Sequence, residues 1–210
     1  MRLAGDLDGA PAAVTARRRR TGATIGGRET ASPPLRDLCR LVALLALTPH
    51  LAAAEPAALR APNVVEISPA LVTSGQPSAE TLARLRDLGF AAVINLAPPN
   101  AHDAVRDEAA IVDRQGLAYV ALPIAFGNPT GRDFEAFASA LRAQSGRKVL
   151  VHCQVNMRAS TMVFLYRVVV GKEDPQVAYE SVLEVWVPDG PWKRLLREEL
   201  REHRIDFEPY

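Results

Sequence analysis

Reactive side chains converge in one segment of the chain, Leu150–Ser160, which reads LVHCQVNMRAS. An apolar strand would end in His152-Cys153, a short loop would follow, and Arg158 would stand at the start of a helix. A strand-to-helix turn aims backbone N–H groups at one point, and the helix dipole favours negative charge there. A thiolate nucleophile suits that position. An arginine at the end of the loop can fork two hydrogen bonds to an oxyanion such as phosphate. Cys153, Arg158 and Ser160 are therefore the candidate catalytic residues, with Ser160 assisting departure of the thiolate. His152, Gln154, Val155, Asn156 and Met157 are the candidate ligand-binding residues. His152, at the strand end, reads as an orienting residue rather than a general base. The bland alternatives are an inert buried thiol at Cys153, an ion pair with a carboxylate for Arg158, and a plain first-turn role for Ser160.

His152-Cys153 followed by a tight loop, an arginine and a serine resembles the phosphate-binding loop of protein tyrosine and dual-specificity phosphatases. SGQPS (Ser74–Ser78) and GFAAVINLAPP (Gly89–Pro99) extend the resemblance towards the small bacterial phosphatase-like group, over roughly Val64–His203. The resemblance implies attack by the Cys153 thiolate on phosphorus, a phosphocysteine intermediate and its hydrolysis by water, with neither metal nor other cofactor. It implies a phosphorylated substrate or other oxyanion as ligand.

The chain departs from that pattern in three places. The family spaces cysteine and arginine by five residues; here four intervene. Read without a gap, Asn156 takes the place of a family glycine, Ser160 that of the family Ser/Thr, and Ala159 that of the arginine. Read with the loop shortened, Arg158 keeps its role. Asparagine is the best substitute for glycine where the backbone turns left-handed. The third departure is the general acid. The loop expected to carry it reads AFGNPTGRDF (Ala125–Phe134), with Asn128 and no aspartate in place. Asp103, Asp107, Glu108 and Asp133 are the carboxylates available, and Asp133 is as well explained by helix capping. A Cys-x4-Arg loop also resembles that of rhodanese-type sulfurtransferases, which carry a persulfide. A binding-only relative of the phosphatases, lacking turnover, is the third reading.

The elements around this loop follow from hydrophobic pattern and turn chemistry. Val64–Ile67 and Leu71–Thr73 are short strand-like runs, and Ser78 caps a helix over 79–88 that Gly89 closes. Ala91–Leu96 and Leu117–Ile124 read as strands, with a helical stretch over 102–115 between them. Thr130 and Asp133 form a capping pair for a helix to about Ser145. Lys148–His152 is the strand that delivers the loop. Helices then run over 159–170, from Asp174-Pro175 to about Trp186, and over 191–203. Trp186-Val187-Pro188-Asp189 superficially resembles a phosphatase acid loop, but it follows the nucleophile and reads as a turn. Apolar strands alternating with helices predict an α/β fold with a mostly parallel central sheet flanked by helices and a helical C-terminal end.

The chain has 210 residues, 25 Lys plus Arg and 24 Asp plus Glu. Residues 1–54 carry 8 basic and 4 acidic residues, so the remainder is acidic by three charges. That balance argues against a dedicated nucleic-acid binder. Residues 35–54 have a short basic start at Arg36 and Arg40, an apolar run from Leu41, Pro49, and then Ala52-Ala53-Ala54. This order predicts a signal peptide cleaved after Ala54, a secreted, periplasmic product and no stable membrane span afterwards. Residues 1–54 thus form an extension plus signal, 55–63 a linker and 64–210 the phosphatase-like domain. The two cysteines, Cys39 and Cys153, fall on opposite sides of the cleavage point, so no internal disulfide is expected. His102 and His203 share no metal-ligand spacing, and no metal is predicted.

Overall fold

The structure is a computed structural model and describes residues 58–210. The segment read from the sequence as a signal peptide, the start of the linker and Cys39 lie outside the described residues.

Five strands form one sheet: β1 (Val65–Ser68), β2 (Leu71–Ser74), β3 (Ala92–Asn95), β4 (Ala118–Ala121) and β5 (Val149–His152). Their spatial order is β1-β2-β5-β3-β4. β1 pairs antiparallel with β2, and every other pairing is parallel. The strands that read as continuous apolar runs are the ones covered on both faces. Ala92 and Ile94 of β3 and Val149 and Val151 of β5 enter one core, while Val93 and Leu150 enter the other.

Among the described residues six helices cover the sheet: α1 (Ala79–Leu82), α2 (Glu108–Asp113), α3 (Gly131–Arg142), α4 (Met157–Val169), α5 (Pro175–Leu183) and α6 (Gly190–Glu202). Residues of α1 and α2 pack in the core that holds Val93 and Leu150. The other core takes residues from α3 to α6 and contains the fully buried Phe137, Phe164, Tyr179 and Trp192. Most of α4 is buried, so it is apolar nearly all round, as a central helix must be. The α/β architecture and helical C-terminal end match the sequence pattern.

Two helices are shorter than their patterns predict. After Leu82 the chain tightens into turns in which Arg84 and Leu85 N–H groups bond three residues back, and Leu85 still reaches the core. Apolar spacing is compatible with either winding, so it does not separate them. The stretch over 102–115 is helical only from Glu108, because Asp107 is left-handed at φ 60° and cannot propagate an α-helix. The Thr130–Asp133 capping box forms with both reciprocal bonds. Asp174 caps α5 as its Asp-Pro start predicts.

A candidate oxyanion site at the Cys153 loop

Three parallel strands end level with one another. Ser74 of β2 and Asn95 of β3 both stand opposite His152 of β5. The carboxyl ends of such strands open a crevice where ligands bind in open α/β sheets. The Cys153 loop leaves β5 at that rim and runs into α4.

The loop holds its shape by turning carbonyls outward. The Cys153 N–H donates to the Ser74 carbonyl at 3.2 Å, and the Gln76 N–H donates to the Gln154 carbonyl at 2.9 Å. Asn63 Nδ2 donates to the Val155 carbonyl at 2.9 Å. Gly75 lies so close that a Cβ there would sit 2.7 Å from the Gln154 oxygen and 2.8 Å from Pro62 Cβ. The Ser74–Gly75–Gln76 turn and Pro62–Asn63 therefore buttress the loop from outside. For Pro62 and Asn63 this is a contact that the reading of 55–63 as a linker did not foresee.

Asn156 is left-handed at φ 71°, the conformation its alignment with a family glycine implies. Its side chain fixes that turn: Nδ2 donates to the Asn63 carbonyl at 2.6 Å and to Thr73 Oγ1 at 3.0 Å. α4 starts immediately afterwards. Its first bond runs from the Ser160 N–H to the Asn156 carbonyl. The N–H groups of Met157, Arg158 and Ala159 precede that bond, have no intrahelical acceptor and sit at the positive end of the helix. Cys153, a free thiol, is fully buried at the root of this cradle, while Val155 is exposed at its tip.

Among the described residues Arg158 pairs with no carboxylate. Its Nε donates to the Ile124 carbonyl at 3.0 Å, and its guanidinium lies 5.2 Å from the centre of the Phe126 ring. Among the described residues its terminal nitrogens make no hydrogen bond, which leaves them as donors for an anion. Ser160 Oγ donates to the Met157 carbonyl at 3.2 Å, and Thr161 Oγ1 makes the same backward bond at 2.8 Å. The Ser160 hydroxyl is thus engaged in the first helical turn.

His152 lies beneath the loop, fully buried, with Nε2 at 2.7 Å from Glu108 Oε1. A carboxylate accepts, so Nε2 carries the proton of that bond. The other Glu108 oxygen accepts from Gln76 Nε2 at 2.8 Å and from Asn95 Nδ2 at 3.4 Å. Asn95 Nδ2 also reaches Tyr119 Oη at 3.2 Å, and burial followed by the Glu108 charge pushes the Tyr119 phenol above its usual range. Glu108 is therefore a buried anchor that ties α2, the Gln76 turn, β3 and the start of the Cys153 loop together. Its acidity and place after β3 marked it in the sequence as a carboxylate near the rim; its partners could not be read there.

The remaining carboxylate candidates divide in the same way. Asp133 Oδ2 is held by the Thr130 N–H and hydroxyl, at 2.8 and 2.7 Å. Asp103 and Asp107 are exposed on the approach to α2. The Trp186–Asp189 segment is the turn between α5 and α6, as read. Both of its flanking tryptophans nevertheless reach the rim. The Trp186 and Trp192 rings lie 5.9 and 5.8 Å from the Phe126 ring, and Trp192 Nε1 donates to the Phe126 carbonyl at 2.9 Å. Phe126 is the site residue that carries no signal in the sequence.

Residues 59–185 match the family model of the DSP-PTPase phosphatase fused to NAD+ kinase. The solved structure of a DUF442 protein of Shewanella putrefaciens CN-32, assigned to the phosphatases, is 31% identical with a TM-score of 0.63, over 68% of this chain and 94% of that one. The beta-lactamase hydrolase-like protein of Xylella fastidiosa is 35% identical over 116 residues, 52% of this chain and 26% of that protein. The chain thus spans about a quarter of the length of that curated relative. PTPMT1, solved in complex with PI(5)P, shares the fold at 19% identity and a TM-score of 0.57, over 67% of this chain and 96% of that one. With its strand ends, Cys153 loop and helices in the arrangement described, and most of the domain matched, the chain belongs to the family of DSP-PTPase phosphatases fused to NAD+ kinase.

Proposed function

We propose that the protein is a cysteine-dependent phosphatase that hydrolyses phosphate monoesters through a phosphocysteine. The observation that carries this reading is the cradle itself. Cys153 stands at its root, three N–H groups open at the N-terminus of α4, and Arg158 keeps its terminal nitrogens free beside it. In the first step Cys153 Sγ bonds to phosphorus and the ester P–O bond breaks, its electron pair leaving with the alcohol oxygen. In the second step water attacks phosphorus, the S–P bond breaks, and inorganic phosphate and the thiolate are released. The N–H groups and Arg158 stabilise charge on the non-bridging oxygens in both steps. Gln154, Val155, Asn156 and Met157 shape the cradle through their backbone, and His152 holds its root through Glu108.

The test is paired turnover on the full chain with Cys153→Ser as control, one arm offering an activated aryl phosphate and the other thiosulfate with cyanide. Phosphate release that disappears in the serine variant supports the proposal. Thiocyanate formation alone would move the protein to sulfur transfer. Phosphate binding with no turnover in either arm would make it a binding protein. The segment 35–54 would deliver the enzyme outside the cytoplasm, and N-terminal sequencing of the exported protein checks cleavage after Ala54.

A further inference from the structure

We propose that Asn63, in the segment before β1, is a positioning residue for the anion cradle, and that this segment and a phosphate held by the Cys153 loop strengthen one another. The proposal rests on the reading of the loop as a phosphate site and adds to it a residue far outside the loop.

Residues 59–64 form a strap pinned at both ends, since Leu59 and Val64 pack against the core that contains Val72 and Leu82. Between those anchors the Pro62 carbonyl accepts from the Gly75 N–H at 2.6 Å. Asn63 then grips the loop twice, once as donor and once as acceptor. Its Nδ2 donates to the Val155 carbonyl at 2.9 Å, and its own carbonyl accepts from Asn156 Nδ2 at 2.6 Å. The two asparagines are 93 residues apart in the chain, and both are left-handed, at φ 48° and 71°. Such backbone persists only where its surroundings hold it. Here the strap and the loop hold each other.

The two bonds act on the two features that let the loop take an anion. The first is the direction of its carbonyls. In a planar trans peptide the C=O and N–H point opposite ways, so rotating the unit exchanges a donor for an acceptor. A Val155 carbonyl released from Asn63 is free to swing towards the cradle, where its oxygen repels a phosphate. The second is the start of α4. Asn156 is the residue before that helix, and its turn aims the open N–H groups of Met157, Arg158 and Ala159. The Gln154 carbonyl, by contrast, is held by the Gln76 N–H from the turn after β2, so that part of the loop does not depend on the strap.

Coupling of this kind is reciprocal. The factor by which a docked strap raises phosphate affinity is the factor by which bound phosphate holds the strap down. Arg60 lies exposed within the strap, and trypsin can cut after it only when the strap lifts.

The experiment uses the full chain with inorganic phosphate as the probe. Asn63→Gly keeps the left-handed backbone and the carbonyl and removes the Nδ2 donor. Calorimetry should show phosphate bound about 2- to 10-fold more weakly, the worth of one ordinary hydrogen bond. In the parent, saturating phosphate should slow the cut after Arg60, located by mass, by at least that factor, and in Asn63→Gly by less. Val169→Ala controls for stability. It sits at the far end of α4, about 18 Å along the axis from Met157, and should lower the melting temperature with phosphate affinity unchanged. Equal phosphate affinity in Asn63→Gly and the parent, whatever its melting temperature, would overturn the positioning role alone. So would a cut after Arg60 that phosphate does not slow, or an equal loss of affinity in Val169→Ala. A parent chain that binds no phosphate would overturn the reading of the loop and the proposal with it.

Discussion

Replacing Glu108 by alanine removes one acceptor group from three donors on three different elements: His152 Nε2, Gln76 Nε2 and Asn95 Nδ2. Asn95 retains Tyr119 and Gln76 retains a long bond to the Pro77 carbonyl at 3.3 Å, so the loss falls mainly on His152. His152 is fully buried, and water does not reach it to replace the lost partner. A buried donor stripped of its acceptor costs about 1–3 kcal/mol, and more where the lost partner was a charged group. Glu108→Ala should therefore destabilise the domain by about 2–4 kcal/mol, a large part of the ~5–15 kcal/mol a domain of this size has. With a urea dependence of about 2 kcal/mol per molar, the middle of the usual range, the unfolding midpoint should fall by about 1–2 M. Glu108→Gln keeps the shape and one acceptor oxygen but turns an NH2 group towards the second donor, and should lose about half as much. A Glu108→Ala midpoint within about 0.3 M of the parent would refute the reasoning, since a shift that small is below the cost of one buried orphan donor. A drop for Glu108→Gln as large as for alanine would assign the effect to charge rather than to hydrogen bonding.

Asn156→Ala should be less stable than Asn156→Gly by about 1 kcal/mol, because both lose the Asn63 and Thr73 bonds but only alanine is strained at φ 71°; thermal unfolding gives the order, and the reverse order contradicts it. Gly75→Ala should cut aryl phosphate turnover by at least about tenfold, since its Cβ would press on the Gln154 carbonyl and displace the loop from a productive geometry; unchanged kcat/KM would show that the buttress is not needed. Burial, and then the neighbouring Tyr210, push Tyr179 up to about 12. The folded state therefore holds a proton that the unfolded chain gives up near 10, so this contribution to stability is complete below pH 10 and is lost as pH rises towards 12. Tyr179→Phe should flatten that alkaline fall in melting temperature, and an unaltered slope would contradict it. Glu199 is raised by burial and then by Glu202, Glu135 and Glu198, so its contribution fades as pH rises through the carboxylate range. Glu199→Gln should accordingly raise the melting temperature at neutral pH, and an unchanged or lower one would contradict it.

Much of the fold is local physics and was legible residue by residue. Ala91–Ile94 and Val149–Val151 are apolar at consecutive positions, as strands covered on both faces are. Thr130 with Asp133 and Asp174 with Pro175 name their helix starts, because a cap bonds within three residues of itself. The Cys153 loop was legible for the same reason: a thiol, a left-handed turn residue and an arginine within six positions must share one strand-to-helix turn. Asn156 at φ 71° is the plainest case, since few residues other than glycine tolerate that backbone.

What surrounds the loop was decided by the sheet. Glu108 and His152 are 44 residues apart and Asn156 and Asn63 are 93 apart, and no local pattern pairs them. Ser74, His152 and Asn95 come level through the pairing register of β2, β5 and β3, and that register places Gln76 and Glu108 beneath the loop. Arg158 was readable as a cation near the cysteine, but its direction depends on the Ile124 carbonyl and the Phe126 ring, which packing of the α6 tryptophan brings to it. The sequence by itself determined the strands, the caps and the turn at Cys153, because these depend on neighbours along the chain. Tertiary structure alone decided which carboxylate is an anchor, where the arginine is held and what walls the site, because a buried polar or aromatic group takes its partner from whatever the fold brings within reach.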